Sequence, residues 1–335
     1  MRPVKKGLRV AVAYNETLES STDDDDYLSE NAVKDEAGMV YQTLLKMGHV
    51  PDLLPVKTIN ETVSKLQTSK PELIFNLCEG FRGNSHHEMN LAALWELMDI
   101  PFTGNSPLTL GMAQNKALAK KLFDANGIAT PAYEVYTGAP SKTSLKYPLI
   151  AKPAMEDASL GIRCNSLIKN YNGLKSSVEK LLKKYKQPVL VEEFIDGREF
   201  NVSIIGGKSP KALPVSEIDF SGLDRKSPRI TSYEAKWLTE HPLYEKTPSV
   251  CPAKLDKKLK KQIEEVALSV YSVLMAEDYG RVDLRVSDKN GIFVLEYNPN
   301  PDISPDAGFV KSLKAAGISY EGFVDFLINE NLKRK

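Results

Sequence analysis

The chain has 335 residues, 42% of them hydrophobic and 26% charged, which is enough apolar material for more than one packed core. Its 44 basic and 44 acidic residues cancel, which removes any whole-chain electrostatic case for nucleic-acid binding. No apolar run approaches the roughly 20 residues that cross a bilayer, and three widely spaced cysteines (Cys78, Cys164, Cys251) suit neither a disulfide framework nor a zinc site. The basic start, Met1 to Gly7, opens like a signal peptide, but the apolar stretch behind it is short and broken by Arg9. These features predict a cytoplasmic protein with no membrane or nucleic-acid partner.

Leu8 to Tyr14 reads as a buried strand. The polar segment behind it contains Asp23 to Asp26, a run that fits a solvated loop, with an electrostatic funnel as the alternative. Val33, Ala37, Val40, Leu44 and Leu45 recur at helical spacing, predicting a helix from about Glu30 that closes at Gly48. Strands are predicted at Pro51–Val56 and Glu72–Leu77, with a helix between them at Glu61–Leu66. Alternation of this kind predicts a parallel, doubly wound α/β domain. Ligands in such a sheet lie beyond the carboxyl ends of the strands, which places Asn76, Cys78, Glu79 and the loop Gly80–His87 at a ligand edge.

A helix at Leu91–Met98, a short strand and turn at Pro101–Gly104 and a basic helix at Gln114–Asn126 follow, and a new region opens near 112. Lys146–Pro153 is a strand carrying Lys152 near its end. The small-residue loop behind it, Ala154–Gly161, is of the type whose backbone N–H groups cradle phosphates, though it is not a Walker A sequence. Tyr171–Tyr185 is a basic amphipathic helix. Pro188 to Ile205 holds two strands around a Gly-centred turn, Thr231–Trp237 sits in a loop-rich stretch, and Leu255–Met275 is a long helix. Two helices near Lys311–Ala316 and Tyr320–Leu332 end the chain.

The stretch Tyr279–Pro301 carries the strongest chemical signal. Val282, Leu284 and Val286 alternate with Arg281, Asp283 and Arg285, Asn290-Gly291 supplies a turn, and Ile292–Tyr297 reads as the partner strand of an antiparallel hairpin. Glu296 and Asn298 share a face. If the register sets Asp283 opposite them, three oxygen ligands converge, a donor set that suits Mg²⁺ together with water and substrate phosphates.

In order and spacing these pieces resemble an ATP-grasp enzyme, and over nearly the whole chain they resemble the D-alanine–D-alanine ligase family. The similar stretches include Phe75-Asn76, Thr103-Gly104, Asn115-Lys116, Ile150-Ala-Lys152-Pro153, Val191-Glu192-Glu193-Phe194, Gly197-Arg-Glu199-Phe, Glu234-Ala-Lys236, Arg281-Val-Asp283 and Leu295-Glu296-Tyr-Asn298. The resemblance implies three domains: a doubly wound N-terminal domain (1–112), a small α+β lid (113–196) and a larger α+β C-terminal domain with the metal and substrate site (197–335). It also implies an ADP-forming ligase that activates a carboxylate as an acyl phosphate for attack by an amine, often as a homodimer.

Roles follow from the same likeness. Lys116 and Lys152 would hold phosphates and Lys236 the γ-phosphate, with Ser159 in the loop. Glu192 and the backbone of Glu193, Phe194 and Ile195 would read adenine, and Glu199 the ribose. Asp283, Glu296 and Asn298 would hold two divalent ions, Mg²⁺ or Mn²⁺, and Arg281 would stabilise the oxyanion. The departures lie at the amino-acid end. Glu79 stands where the family has histidine, Trp237 where it has tyrosine, Asp302 where it has glycine and Ala307 where it has serine; Glu30 falls at the place of the glutamate for the first substrate's amino group. The nucleotide half matches and the amino-acid half does not, so the acceptor is expected to differ from D-alanine. A true D-alanine–D-alanine ligase and an ATP-binding subunit without turnover remain as alternatives.

Overall fold

The computed structural model describes residues 6–16, 26–156, 160–224, 227–238, 240–287 and 291–334, and for 26–31 the backbone alone. β1 (Arg9–Asn15) runs parallel to both β2 (Val50–Val56) and β3 (Leu73–Asn76), in the order β2-β1-β3. The crossovers that parallel pairing requires are α1 (Asp26–Lys46) and α2 (Ile59–Ser69). β1 is buried on both faces. Val10, Val12 and Tyr14 pack with Val33, Ala37, Val40 and Leu44 of α1, while Ala11 and Ala13 pack with Leu66 of α2 and with Leu91 and Trp95 of α3 (Glu88–Leu97). This is the doubly wound arrangement that alternating elements predict. α1 begins at Asp26, ahead of Glu30. The last aspartate of the acidic run is thus the first residue of a helix, and Asp23 to Asp25 lie outside the described residues.

The expected basic helix is α5 (Lys116–Ala125), and a helix the sequence reading did not include, α4 (Pro107–Gln114), precedes it. Asn115 separates them and caps α5, its Oδ1 accepting the Leu118 N–H at 3.1 Å. The division expected at 112 therefore falls within α4. The lid sheet has the order β4 (Tyr133–Tyr136), β6 (Val189–Glu193), β5 (Leu149–Pro153), and α6 (Tyr171–Tyr185) covers it through Leu174, Val178 and Leu181.

β6 and β7 (Arg198–Ile205) flank the glycine turn but do not pair. The chain leaves the lid at Phe194 and enters the large sheet at Arg198, and at that crossing the Val286 carbonyl oxygen occupies the space a Cβ on Gly197 would need. The large sheet runs β10 (Ser249–Val250), β9 (Ser216–Ile218), β7, β11 (Tyr279–Ser287), β12 (Gly291–Asn298), with β8 (Lys211–Ala212) added to β7. α9 (Lys257–Val273) covers it through Ile263, Ala267 and Val270. The short elements β8 to β10, α7 (Tyr233–Trp237) and α8 (Pro242–Lys246) lie where the sequence reads as loop, since so few residues display no periodicity. No helix of the described residues is long and apolar enough to cross a membrane.

α10 (Gly308–Ala315) and α11 (Tyr320–Asn331) return to the first sheet, where Phe309, Leu313, Phe323 and Leu327 join the β1 core. A polar joint beside them ties the turn at Gly104 and the start of β11 to the last helix. The fully buried carboxylate of Asp278 accepts from the Gly104 N–H at 2.7 Å, from Arg334 Nη2 at 2.8 Å and from Asn331 Nδ2. Burial pushes the Asp278 carboxyl up to about 6, against the pull of Arg334, Asn331 and Gly104. A proton held more tightly in the fold than in the unfolded chain gives stability that is present below the unfolded value and is lost as pH rises through the folded one. Wild type should therefore lose roughly 3 kcal/mol relative to Asp278→Asn between pH ~4 and ~6, read from melting temperatures across that range. Parallel pH curves for the two proteins would contradict this.

Candidate active site

The antiparallel register sets Asp283 of β11 opposite Glu296 of β12, and Arg281 opposite Asn298, with a bulge after Asp283. The three expected ligands thus stand at neighbouring positions of one hairpin, with Asn298 meeting Asp283 through its amide nitrogen. Asp283 Oδ1 accepts from Arg281 Nε and from Asn201 Nδ2, each at 2.7 Å. Its Oδ2 accepts from Arg281 Nη2 at 2.8 Å and from Asn298 Nδ2 at 2.9 Å. Arg281, expected at an oxyanion, thus forks onto the carboxylate two residues away. Burial would lower its pKa, but Asp283, with Glu296 and Asp302 behind it, raises it. Asn201 comes from β7, directly opposite Asp283. The sequence offers no signal for it, because strand order cannot be read from one strand.

Glu296 Oε2 lies 3.3 Å from Lys116 Nζ. Burial alone would raise the Glu296 carboxyl, but Lys116, Lys152 and Arg281 overcome it and hold the group at about 2, fully ionised at neutral pH. Lys116 is the first residue of α5, and its own N–H donates to the Ala154 carbonyl at 3.0 Å. A lysine at a helix N-terminus adds positive charge where the dipole is already positive, an arrangement that favours an anion.

Lys152 Nζ lies 2.6 Å from Glu192 Oε2, and Lys120 Nζ pairs with the other oxygen. Glu192, expected to read adenine, is instead enclosed between two buried ammonium groups that hold it ionised against the upward push of burial. Burial lowers the pKa of Lys120, opposed by Glu192. Lys120 was missed, although it stands one helical turn beyond Lys116, a spacing that puts both on one face. Glu199 also differs from its expected role as an open acceptor. Its Oε2 takes Nε of Arg285 at 3.0 Å and Nη2 at 2.6 Å, and its Oε1 takes the Thr231 hydroxyl at 2.7 Å. The N–H groups of Glu193 and Phe194 donate to the carbonyls of Ala132 and Pro148, so neither is available to a base, and the Ile195 carbonyl accepts from Arg285 Nη1.

Lys152, Glu192, Glu199, Arg281, Asp283 and Glu296 all line one cavity of about 810 Å³ between the lid and the large sheet. Lys236 and Trp237 of α7, with Arg281 and Asp302, border both this cavity and a second one of about 220 Å³. The Lys236 side chain is exposed to solvent yet surrounded by protein groups. Burial and Arg281 lower its pKa, opposed by Asp283, Glu296 and Asp302. The smaller cavity is edged by Glu79, Glu88, Glu156 and Asp302. Asp302 turns one oxygen onto the Ser304 N–H at 2.8 Å, and Glu79 donates its N–H to Asn15 Oδ1 at 2.9 Å. Ser159 and the Glu30 side chain lie outside the described residues. On α1 the buried carboxylate is Glu36, whose Oε1 accepts the Ile303 N–H at 2.7 Å. Burial raises its pKa well above the usual range, with Asp302 and Glu79 adding to the effect.

The family model described as D-ala D-ala ligase C-terminus matches residues 123–329, more than half of the chain. The D-alanine–D-alanine ligase of Carboxydothermus hydrogenoformans is 30% identical over 303 residues, covering 86% of this chain and 90% of that one. The chain belongs to the D-alanine–D-alanine ligase family. At that level it is an ATP-dependent, ADP-forming carbon–nitrogen ligase. An uncharacterized protein of Sinorhizobium fredii is 32% identical over 258 residues, covering 77% of this chain and 74% of that one. The fold agrees: the D-alanine–D-alanine ligase of Bacillus anthracis complexed with ATP aligns with a TM-score of 0.75 over 98% of both chains at 20% identity. The architecture is therefore ATP-grasp.

The donor chemistry fits what the family uses, ATP with Mg²⁺. Among the described residues no three His, Cys, Asp or Glu side chains cluster as a closed metal cage. Two carboxylates and one amide at the hairpin instead leave coordination positions for water and phosphate oxygens, as hard divalent ions prefer. The lysines at the nucleotide end rely on few carboxylates, and this can be measured. Glu192→Gln leaves Lys120 and Lys152 buried without their shared counter-charge and should cost about 3–5 kcal/mol in urea unfolding. Lys120→Met should cost less, because Glu192 keeps Lys152. Equal losses, or a Glu192→Gln loss below about 1 kcal/mol, would show that the pairs are solvated.

Proposed function

We propose that this ligase joins a carboxylate to an amine through an acyl phosphate, releasing ADP and phosphate, and that its acceptor is not D-alanine but carries an additional positive charge. In the first step a carboxylate oxygen attacks the γ-phosphorus and ADP leaves. In the second the amine attacks the acyl carbon, loses a proton and expels phosphate. Lys116 and Lys152 attract the phosphates, and Lys236, at the junction of the two cavities, faces the transferring group. Asp283, Glu296 and Asn298 would hold the divalent ions, two in this proposal, which would supply positive charge to the phosphate oxygens during transfer. Arg281, released from Asp283, stabilises charge on the acyl oxygen. Glu192 and Glu199 border the base and ribose, and Trp237 the substrate. The limits 1–112, 113–196 and 197–335 are kept as domain proposals, the first shifted to the α4–α5 break.

The observation that carries the acceptor assignment is the smaller cavity. Glu79, Glu88, Glu156 and Asp302 edge it, against the cations Lys236 and Arg281, which serve the phosphoryl step. The lining therefore carries more acidic than basic side chains, a potential that a cationic substrate group complements. A basic amino acid, a diamine or a peptide amine fits. The competing reading, D-alanine as both substrates, is favoured by the names of the relatives, of which the Aquifex aeolicus D-alanine–D-alanine ligase is 28% identical over 292 residues.

Phosphate release measured over a panel of amino acids and amines should be greatest with cationic acceptors, and Asp302→Gly should shift preference toward neutral ones. D-alanine used as donor and acceptor with far higher efficiency, or an unchanged preference in Asp302→Gly, would contradict the assignment. Asp283→Asn keeps the side-chain shape and removes the charge; turnover should fall below about a tenth of wild type, a loss above ~1.4 kcal/mol of transition-state stabilisation. Turnover above that level would exclude Asp283 as a metal ligand.

A further inference from the structure

Arg285 stands two residues beyond Asp283 on β11, is 4% exposed, and takes no part in the chemistry proposed above. Its guanidinium nevertheless donates four hydrogen bonds at that end of the cleft. Nε and Nη2 donate to Glu199 Oε2, Nη1 donates to the Ile195 carbonyl at 2.8 Å, and Nη2 also donates to the Arg229 carbonyl. Its flat faces lie against aromatic rings, 4.8 Å from the Phe194 centroid and 5.8 Å from that of Phe220. These partners come from separate segments that form walls of the larger cavity: the lid-to-sheet crossing at Ile195, strand β7 at Glu199, and the loop at 229–231. Arginine suits such a joint because its planar fork bonds in several directions at once and stacks on rings, which lysine cannot do.

We propose that Arg285 is a positioning residue that fixes the three walls of the nucleotide end, and so sets affinity for the nucleotide rather than the rate of chemistry. The inference rests on the reading that this cavity holds ATP. Glu199 is kept at one place by the fork and by Thr231, so its carboxylate is presented in a fixed orientation rather than being reordered when ligand arrives. The groups Arg285 bonds lie away from Arg281 and Glu296, and its loss should leave the phosphoryl-transfer geometry in place.

The probe is ADP with Mg²⁺, titrated by calorimetry into the full chain, with steady-state kinetics on whichever amine the substrate panel supports. Arg285→Met should weaken ADP binding and raise the KM for ATP by about tenfold or more, with kcat within about threefold and the KM of the amine unchanged. Arg285→Lys keeps a counter-charge on Glu199 without the fork, and should recover part of the lost affinity. Thr231→Val removes one bond to Glu199 and no charge, and should lose about threefold. If Arg285→Met does not fold, Arg285→Lys decides alone, with about fivefold weaker ADP binding expected. A folded Arg285→Met with wild-type ADP affinity overturns the proposal, as does a kcat that falls as far as kcat/KM, or Arg285→Lys indistinguishable from wild type where Arg285→Met cannot be made. Wild type that binds no ADP overturns the nucleotide reading of the cavity itself, a result distinct from an indifferent variant.

Discussion

The Asp283 carboxylate, gripped on both oxygens by Arg281, Asn201 and Asn298, is the constraint on which the rest of the cleft depends. A carboxylate that is 8% exposed needs this many donors to replace the water it has lost, and they fix it where β7, β11 and β12 meet. Around it, Lys116 meets Glu296, Lys120 and Lys152 share Glu192, and Arg285 grips Glu199, with Lys236 and Asp302 also on the cavity wall. Ammonium and guanidinium groups held this close to carboxylates can exchange those partners for an anion accompanied by a divalent cation. The same internal pairs must open when such a ligand enters. Arg281 can turn toward a reacting acyl group only when Asp283 has another positive partner.

Strand β11 delivers this chemistry because a strand repeats every second residue. Arg281, Asp283 and Arg285 line the larger cavity in succession, while Val282 and Leu284 between them enter the core under α9. The strand's ends are held by unlike means. At its start the buried Asp278 ties Gly104, Asn331 and Arg334 together, and near its far end the Val286 carbonyl packs against Gly197 where the lid joins the large sheet. One element thus registers the N-terminal domain, the lid and the large sheet against one another, and side chains from all three reach the same space.

Much of this was legible in the sequence, for local reasons. The alternation in 281–286, the Asn-Gly turn and the apolar run at 292–297 state a hairpin without any neighbour, and its register comes from the packed structure. The buried pattern of Leu8 to Tyr14 states a central strand. What the sequence could not state is which strands share a sheet. Pro188 to Ile205 reads as one turn between two strands, and only the packed structure sends β6 and β7 to different sheets. For that reason Asn201, Arg285 and the loop at 229–231 were not recognisable as neighbours of Asp283 and Glu199. Lys120 could have been found from its helical offset to Lys116. Glu36 could not, because its burial depends on α1 meeting Ile303, far along the chain. The departures at Glu79 and Asp302 were visible residue by residue, and their meaning came from the cavity they edge together with Glu88 and Glu156.

The most direct measurement follows the carboxylate oxygen. With a donor labelled with heavy oxygen in its carboxylate, turnover through an acyl phosphate places one labelled oxygen in the released phosphate and leaves ADP unlabelled. That is the result this account predicts. Unlabelled phosphate during product formation, or label appearing in AMP, would contradict phosphorylation of the carboxylate and with it the roles given to Lys236, Arg281 and the hairpin ligands.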